Sequence, residues 1–325
     1  MGGKHVNKPS QASRDFWLAW RKRSPAFGAV GNEFNLAGLR QGMSARQEPR
    51  DKAVRCMRGM IGQIPYEWVV APGADPDVRL LYLHGGGYVS GSGASYLPLA
   101  ADLSAAAGCA VLLPDYRLAP EYPFPAGLED CILAHDWLTA NGPAGAAPAK
   151  ATFIAGDSAG GGLTLAVLLA LRDRRMQLPA AGMPLSAFAD LTLSGDSIRT
   201  EAENDPVMSP RCLPRFVELY LGGADPRNPL ASPIFGDYTG IPPLLIQVGE
   251  VEVIRDDSVR VAARARVYGV EVTLEVWPGQ VHVFQIRGLP ESREAVARLA
   301  AFMRAACVMG VPGAWSREFP KDESP

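Results

Sequence analysis

The strongest chemical signal in the sequence is a serine between two closely spaced glycines. Ser158 lies in the motif GDSAG (156–160), directly after the β-like run ATFIAG (151–156) and before an amphipathic helical run. A strand, a sharp turn and a helix expose a nucleophilic serine on a strained backbone, and such a turn admits only small residues two positions before and after it. A turn that binds phosphate at a helix N-terminus is the alternative, but this segment lacks the Gly-x-Gly-x-x-Gly pattern and a phosphate-loop lysine. The motif therefore favours a serine nucleophile.

A second glycine-rich turn follows an earlier β-like run. HGGG (84–87) comes directly after VRLLYL (78–83). Glycines at the end of a strand let backbone N–H groups point into a cavity, where they can stabilise the negative oxygen of a tetrahedral acyl intermediate. A flexible turn is the alternative for this motif alone. With the serine turn downstream, the pair of motifs favours an oxyanion hole.

A nucleophilic serine needs a base, and the sequence contains four histidines. His5 lies in a polar tail, His84 begins the glycine turn and is suited to bracing it, and His135 lies within a helical run. His282 remains, in a loop after the last β-like run, at the sheet edge where the catalytic residues of α/β proteins gather. By elimination, His282 is the predicted base.

The carboxylate that orients this histidine is expected on the loop GEVEVIRDD (249–257), which follows the penultimate β-like run. Asp256 and Asp257 precede an amphipathic run, so helix capping explains their position. Pattern alone does not separate Glu250 from Glu252 as the acid. The resulting chain order of serine, acid and histidine is that of α/β-hydrolases rather than that of chymotrypsin or subtilisin.

The elements that must position these residues alternate along the chain from about residue 64. The β-like runs cover 64–70, 78–83, 109–114, 151–156, 181–188, 242–249 and 270–277. The helical runs cover 97–107, 126–140, 160–174, 257–268 and 291–307. Such alternation predicts right-handed βαβ units, and so an α/β fold with a mostly parallel central sheet flanked by helices.

Two segments depart from this alternation and are predicted to form a helical cap. Residues 1–50 contain an aromatic amphipathic stretch, and residues 189–240 are an insertion between two strands with a helical patch at 212–221. Long insertions at such places are usually functional lids. We therefore predict an N-terminal cap segment (1–50) and a catalytic domain (51–325), with the insertion contributing to the cap.

Composition and charge exclude several classes of protein. The 325 residues are 47% apolar and 20% charged, which indicates a globular chain, and 32 Lys plus Arg against 34 Asp plus Glu leave no basic excess for nucleic acid. The longest apolar run, 159–171, is too short to span a membrane, and MGGKHVNKPS lacks the apolar core of a secretory signal. Five scattered cysteines without a C-x-x-C pair indicate reduced thiols and, with the preceding observations, a cytoplasmic location.

Several separated motifs together resemble the hormone-sensitive-lipase family of bacterial esterases, which has the α/β-hydrolase fold. In chain order they are HGGGYVSGS, DYRLAPEYPFPA, GDSAGG, ASP (231–233), PPLLIQVGEVEVIRDDS and VHVFQ. The resemblance implies that Glu252 is the acid, with Glu250 in reserve. Most members carry aspartate at this position, so the chain is similar to the subgroup with a glutamate acid, which includes monoterpene lactone hydrolases.

The same resemblance implies that the backbone N–H groups of Gly86, Gly87 and Ala159 form the oxyanion hole. It implies that the charged DYRLAPE stretch (115–121) is scaffold that holds its loop near the glycine turn. The implied function is a carboxylesterase that hydrolyses short- to medium-chain acyl esters with a Ser-His-Glu triad through an acyl-enzyme. A lactone hydrolase, deacetylase or amidase on the same triad is the alternative.

Four residues are predicted to contact the substrate: Tyr88, Trp20, Met208 and Phe216. Packing of the cap onto the body is the alternative for the apolar side chains of the cap. The plant gibberellin receptors, which bind a ligand without hydrolysis, resemble the same family but lack the triad histidine that is present here. No metal or organic cofactor is implied, because neither His-Glu-x-x-His nor a dinucleotide motif occurs. The expected partner is a small-molecule ester, and the final helix either packs onto the sheet or supports a homodimer.

Overall fold

An eight-stranded sheet forms the centre of the computed structural model, which describes residues 8–23, 29–30 and 33–308. His5 and most of the N-terminal decapeptide lie outside the described residues. In chain order, the strands are β1 (Arg55–Ile61), β2 (Ile64–Val70), β3 (Asp75–Leu83), β4 (Cys109–Pro114), β5 (Ala151–Asp157), β6 (Ala181–Leu185), β7 (Leu244–Gly249) and β8 (Val272–Trp277).

The order of strands across the sheet is β1-β2-β4-β3-β5-β6-β7-β8. Only β2 runs against its neighbours β1 and β4, and all the other pairs are parallel. The carboxyl ends of β3, β5, β6, β7 and β8 therefore meet at one edge of the sheet. The predicted α/β-hydrolase fold with a mostly parallel sheet is confirmed.

Helices cover both faces of this sheet. In chain order, the helices of the described residues are α1 (Gln11–Arg23), α2 (Leu36–Met43), α3 (Leu97–Ala107), α4 (Ala126–Ala140), α5 (Ala159–Asp173), α6 (Ser197–Thr200), α7 (Leu213–Leu221), α8 (Arg255–Val267) and α9 (Pro290–Val308). The apolar sides of α3 and α9 share one core cluster, and those of α4, α5 and α8 share the other. Packing of α9 onto the sheet, through Leu299 and Met303, is confirmed, while dimerisation stays a prediction.

Burial explains why the central elements have so few polar residues. Every residue of β5 after Ala151 is buried, as is every residue of α5 from Ala159 to Leu171. A strand covered on both faces and a helix enclosed by its neighbours have no solvent side to keep polar. The apolar run at 159–171 is thus a core helix. Among the residues that the structure describes, no helix combines the length and the apolar character of a membrane span.

Three differences between the predicted and the observed strands exceed two residues. The strand β1 was not predicted, because it is an edge strand with mixed burial and two arginines, and so it lacks an apolar run. The strand β3 begins at Asp75, three residues before the predicted start. The strand β6 ends at Leu185 rather than at 188, because Ser186 adopts a left-handed conformation (φ +45°) that turns the chain out of the sheet.

The first segment and the insertion contact each other above the sheet edge. The Phe34 ring packs edge-on against Phe216 of α7, with 5.1 Å between the ring centroids. Arg21 of α1 donates a hydrogen bond to the carbonyl oxygen of Asn204 in the insertion. These contacts place the two predicted cap segments side by side; the division of the chain at residue 50 stays a prediction.

Candidate active site

Ser158 lies on a strained turn between β5 and α5. Its backbone has φ +53° and ψ −118°, a conformation that a non-glycine residue rarely adopts. The turn is held because Ser158 N–H donates to the carbonyl oxygen of Leu185 (2.9 Å). A Cβ at Gly156 or Gly160 would collide with the carbonyl oxygen of Leu83 at the end of β3. Both positions therefore require glycine, and the hydroxyl of Ser158 stands at the carboxyl edge of the sheet.

His282 lies beside this hydroxyl, on the loop after β8. Its Nε2 is 2.9 Å from Ser158 Oγ, and its Nδ1 is 2.9 Å from Glu252 Oε2. Burial lowers the pKa of His282, but the hydrogen bond and charge of Glu252 and the charges of Asp205 and Asp157 outweigh it, so the pKa is raised above 6.5. The structure brings the predicted serine, histidine and acid into one hydrogen-bonded row.

The Glu252 carboxylate is fully buried and has three partners. Its Oε1 accepts hydrogen bonds from Ser186 Oγ (2.7 Å) and from the Gly249 N–H (2.5 Å), while Oε2 faces His282. Glu250 instead lies at the surface, where its Oε2 accepts from the Gly279 N–H (2.8 Å). The structure therefore places Glu252, and not Glu250, against the histidine.

The prediction that Asp256 and Asp257 cap the following helix is wrong. The helix α8 already begins at Arg255, so both aspartates lie within its first turn. The Asp257 carboxylate accepts the N–H groups of Ala189 and Asp190 (2.9 Å each), and that of Asp256 accepts the Ser197 N–H (3.0 Å). These two side chains anchor the insertion to α8, a role that only the folded chain reveals.

Ser186 is a site residue that the sequence motifs do not indicate. Its hydroxyl donates to Glu252 and accepts the Val283 N–H (3.3 Å), so one side chain contacts both the acid and the loop of His282. Its N–H donates to the Gln247 carbonyl oxygen (2.7 Å). The sequence contains one indication of its role. Ser186 directly follows β6, the parallel strand next to β5, so it lies at the same carboxyl edge of the sheet as Ser158.

The glycine turn after β3 lies beside the turn that carries Ser158. Gly86 and Gly87 have positive φ values of 128° and 62°, and their N–H groups have no acceptor within the described part of the chain. Gly85 N–H instead donates to Tyr96 Oη (3.1 Å), so it serves the turn. Ala159 is the first residue of α5, where helical N–H groups have no partner in the helix. This set of N–H groups can receive an anion.

Side chains around the glycine turn act as scaffold, as predicted. The His84 ring stacks on Tyr116 with centroids 4.2 Å apart, and His84 Nδ1 lies 2.8 Å from the Gly85 carbonyl oxygen. In the DYRLAPE stretch, Arg117 pairs with Asp130 of α4 (2.8 Å). Glu121 pairs with Arg40 of α2 (2.6 Å), which also donates to the carbonyl oxygen of Val89 (2.8 Å), two residues after the glycine turn.

A buried carboxylate lies directly before the serine. Asp157 accepts hydrogen bonds from Tyr82 and Tyr96 Oη, both at 2.9 Å. Burial raises its pKa to about 6, although these two hydroxyls lower it. Because Tyr96 also accepts the Gly85 N–H, the network links the serine turn to the glycine turn.

The four predicted substrate contacts lie in different surroundings. Phe216 lies so close to Gly87 that a Cβ on this glycine would come within 2.5 Å of the ring. Tyr88 is buried, stacks on Tyr220 and donates to the Phe188 carbonyl oxygen (2.6 Å), so its hydroxyl is already used. Met208 is buried in the insertion, and the ring of Trp20 in α1 lies under the Arg287 guanidinium.

His135 is the remaining described histidine. It is fully buried in α4, its ring nitrogens have no partner among the described residues, and burial lowers its pKa to about 4. It is therefore a neutral core residue. Within the described ranges, no three His, Cys, Asp or Glu side chains are grouped so that they could hold a metal ion.

Residues 80–286, which include the serine, acid and histidine, match a family model described as the alpha/beta hydrolase fold. The chain belongs to the α/β-hydrolase family. An acetyl-hydrolase from Streptomyces hygroscopicus is 45% identical to this α/β-hydrolase over 253 residues, which cover 77% of this chain and 83% of the relative.

Solved structures of similar proteins are esterases. The crystal structure of EstE5 soaked with ethyl alcohol has a TM-score of 0.86 at 39% identity, over 92% of this chain and 100% of EstE5. An esterase from the bacterial hormone-sensitive lipase family has a TM-score of 0.81 at 39% identity, over 92% and 99% of the two chains. This α/β-hydrolase is therefore a serine carboxylic ester hydrolase of the hormone-sensitive-lipase-like group. Its place in the subgroup with a glutamate acid stays a prediction.

Proposed function

We propose that this α/β-hydrolase hydrolyses short- to medium-chain acyl esters with the triad Ser158, His282 and Glu252 through an acyl-enzyme. The observation that carries the proposal is the row of two 2.9 Å contacts from the strained serine through the imidazole to a buried carboxylate. A nucleophile within hydrogen-bond reach of a base, and a base oriented by a third group, is the arrangement that acyl transfer requires.

In the first half-reaction, Ser158 Oγ attacks the ester carbonyl carbon while its proton moves to His282 Nε2. Glu252 accepts the Nδ1–H bond, so the neutral imidazole presents an unprotonated Nε2 and its cationic form is stabilised. The carbonyl oxygen becomes an oxyanion held by the N–H groups of Gly86, Gly87 and Ala159. Loss of one such donor typically costs about 10²–10³ in rate.

The tetrahedral intermediate then collapses to the acyl-enzyme. His282 gives its proton to the departing alcohol oxygen as the C–O bond breaks, and the acyl group stays on Ser158. In the second half-reaction, His282 takes a proton from a water molecule that attacks the acyl carbonyl, and returns it to Ser158 as the carboxylic acid leaves. Every proton is carried by one imidazole, so no further acid or base is needed.

The closeness of Phe216 to Gly87 supports a preference for small acyl groups. The ring comes from the insertion and occupies space directly beside one of the oxyanion donors. An acyl chain on this side of the carbonyl has little room before it meets the ring. The name of the Streptomyces hygroscopicus relative, an acetyl-hydrolase, points in the same direction.

The test uses p-nitrophenyl esters from acetate to dodecanoate, with Ser158→Ala and, as a matched control, the exposed Ser44→Ala. We expect Ser44→Ala to retain full activity and Ser158→Ala to lose it at every chain length. Intact-protein mass spectrometry after rapid acid quench should show one added acyl group on the wild-type protein. Equal rates for Ser158→Ala and the wild type would refute the proposal.

The pH dependence gives a second test of the base. Because the His282 pKa is raised, kcat/KM should increase with pH through a midpoint above 6.5, as the imidazole loses its proton. A rate that is constant from pH 5 to pH 8 would exclude histidine as the base.

A further inference from the structure

The insertion holds both backbone polar groups of Val253, the residue that follows Glu252. Asp205 Oδ2 accepts the Val253 N–H (3.0 Å), and Ser197 Oγ donates to the Val253 carbonyl oxygen (2.8 Å). Asp205, Ser197 and Val253 are all buried. The loop that presents the acid is therefore fixed from the cap side as well as from the sheet.

The same Asp205 carboxylate also organises the insertion itself. Its Oδ1 accepts the N–H groups of Val207 (2.8 Å) and Met208 (3.0 Å). Met208 is one of the predicted substrate contacts, so a single carboxylate bonds both to the backbone of this residue and to the backbone next to Glu252.

The charge of Asp205 also acts on the catalytic histidine. In the described part of the chain, no basic side chain pairs with Asp205, and its bonds are to three backbone N–H groups. Three carboxylates raise the pKa of His282, and Asp205 is one of them, with Glu252 and Asp157. Burial raises the pKa of Asp205 to about 6, so the carboxylate is charged above this pH, and its field is only weakly screened because it is shielded from water.

We propose that Asp205 is a positioning residue of the triad. From the insertion, it holds the loop of Glu252 in register with the backbone of Val207 and Met208, and its charge stabilises the imidazolium that forms when His282 takes the serine proton. The inference rests on the proposed function of His282 as the base. Asp205 does not touch the reacting atoms and acts through the acid loop and through its field.

The experiment compares three variants in the full chain. Asp205→Asn keeps the size of the side chain and removes its charge, and Ser197→Ala removes the other bond to Val253 without changing any charge. Asp190→Asn is the matched control, a buried aspartate of the same insertion whose charge is paired with Arg260 (2.8 Å). Circular dichroism and a thermal melt establish folding, and kcat/KM for p-nitrophenyl acetate is measured from pH 5 to pH 9.

For folded Asp205→Asn, we expect the midpoint of the pH profile to fall by roughly half a unit or more, the direction given by loss of a negative charge near an imidazole. The plateau of kcat/KM should fall about tenfold, since one buried hydrogen bond to a charged group is also weakened. Ser197→Ala should lower the plateau and leave the midpoint unchanged. Asp190→Asn should leave the midpoint unchanged.

A folded Asp205→Asn with the wild-type midpoint would overturn the proposal, because a merely structural aspartate would lower stability and leave the pH profile unchanged. A shift of equal size in Asp190→Asn would also overturn it. If Asp205→Asn does not fold, Ser197→Ala decides: a wild-type plateau would overturn the role of the Val253 contacts. A wild-type protein without any ionisation between pH 5 and pH 9 would instead refute the proposed base.

Discussion

Replacement of Glu252 by glutamine tests the triad acid most sharply, because the surroundings dictate which way the new amide points. Glu252 Oε1 accepts the Gly249 N–H and the Ser186 hydroxyl, and a backbone N–H cannot become an acceptor. The amide oxygen must therefore stay at this position, and the NH₂ group takes the place of Oε2, 2.9 Å from His282 Nδ1.

An NH₂ group at this place reverses the tautomer of the imidazole. His282 Nδ1 must then accept a hydrogen bond, so the ring proton moves to Nε2, which faces Ser158 Oγ. In this state Nε2 cannot take the serine proton. The corresponding aspartate-to-asparagine change in a serine protease lowers kcat by about 10⁴ through the same effect. We expect Glu252→Gln to lower kcat by about 10³–10⁴, or roughly 4–5.5 kcal/mol in activation free energy.

The assay is steady-state hydrolysis of p-nitrophenyl acetate, with kcat and KM determined separately. We expect KM to change little, since Glu252 is buried behind the histidine. Glu250→Gln is the matched control. The side chain of Glu250 lies at the surface, and its carboxylate accepts the Gly279 N–H as its single partner among the described groups, so this variant should retain wild-type kcat. A Glu252→Gln variant that retains more than about a tenth of the wild-type kcat would refute the reasoning. A larger loss of kcat in Glu250→Gln than in Glu252→Gln would refute it as well.

Three more predictions follow from contacts around the site. Ser186→Ala removes a 2.7 Å hydrogen bond to the buried Glu252 carboxylate. Such a bond is worth about 1.5–3 kcal/mol, so kcat should fall about 10- to 100-fold. A loss of kcat below threefold would show that Glu252 is held in place without the Ser186 hydroxyl. Phe216→Ala removes the ring beside the glycine turn and should raise the octanoate-to-acetate ratio of kcat/KM by about tenfold or more. Phe235→Ala is the control and should leave this ratio unchanged. Equal ratios in the two variants would contradict the proposal that the Phe216 ring limits the acyl chain. Burial raises the pKa of Asp257 from 3.8 to about 8, so the folded protein binds this proton more tightly than the unfolded chain, and the free energy of unfolding should decrease as pH rises from 5 to 8. The free energy of unfolding of Asp257→Asn, measured by urea titration, should decrease less over this pH range. Parallel curves of unfolding free energy against pH for the variant and the wild type would contradict the raised pKa of Asp257.

The parts of the fold that depend on neighbouring residues could be predicted from the sequence. The helices at 97–107 and 126–140 and the strand at 109–114 have the predicted bounds, because their apolar periodicity and flanking turns are local features. The serine turn could be predicted for the same reason, because it requires small residues only two positions before and after the serine. The edge strand β1 was missed because an exposed strand has no apolar run to mark it.

The sequence by itself determined which residue types were available and where the sharp turns lie. It did not determine which of two glutamates, two positions apart on one loop, faces the histidine, because this depends on where β7 ends and how the loop packs. The contacts of Ser186 and Asp205 across 66 and 48 residues of chain were equally invisible. Hydrogen bonds between such distant residues are set by the packing of whole strands and helices, and only the tertiary structure decides them.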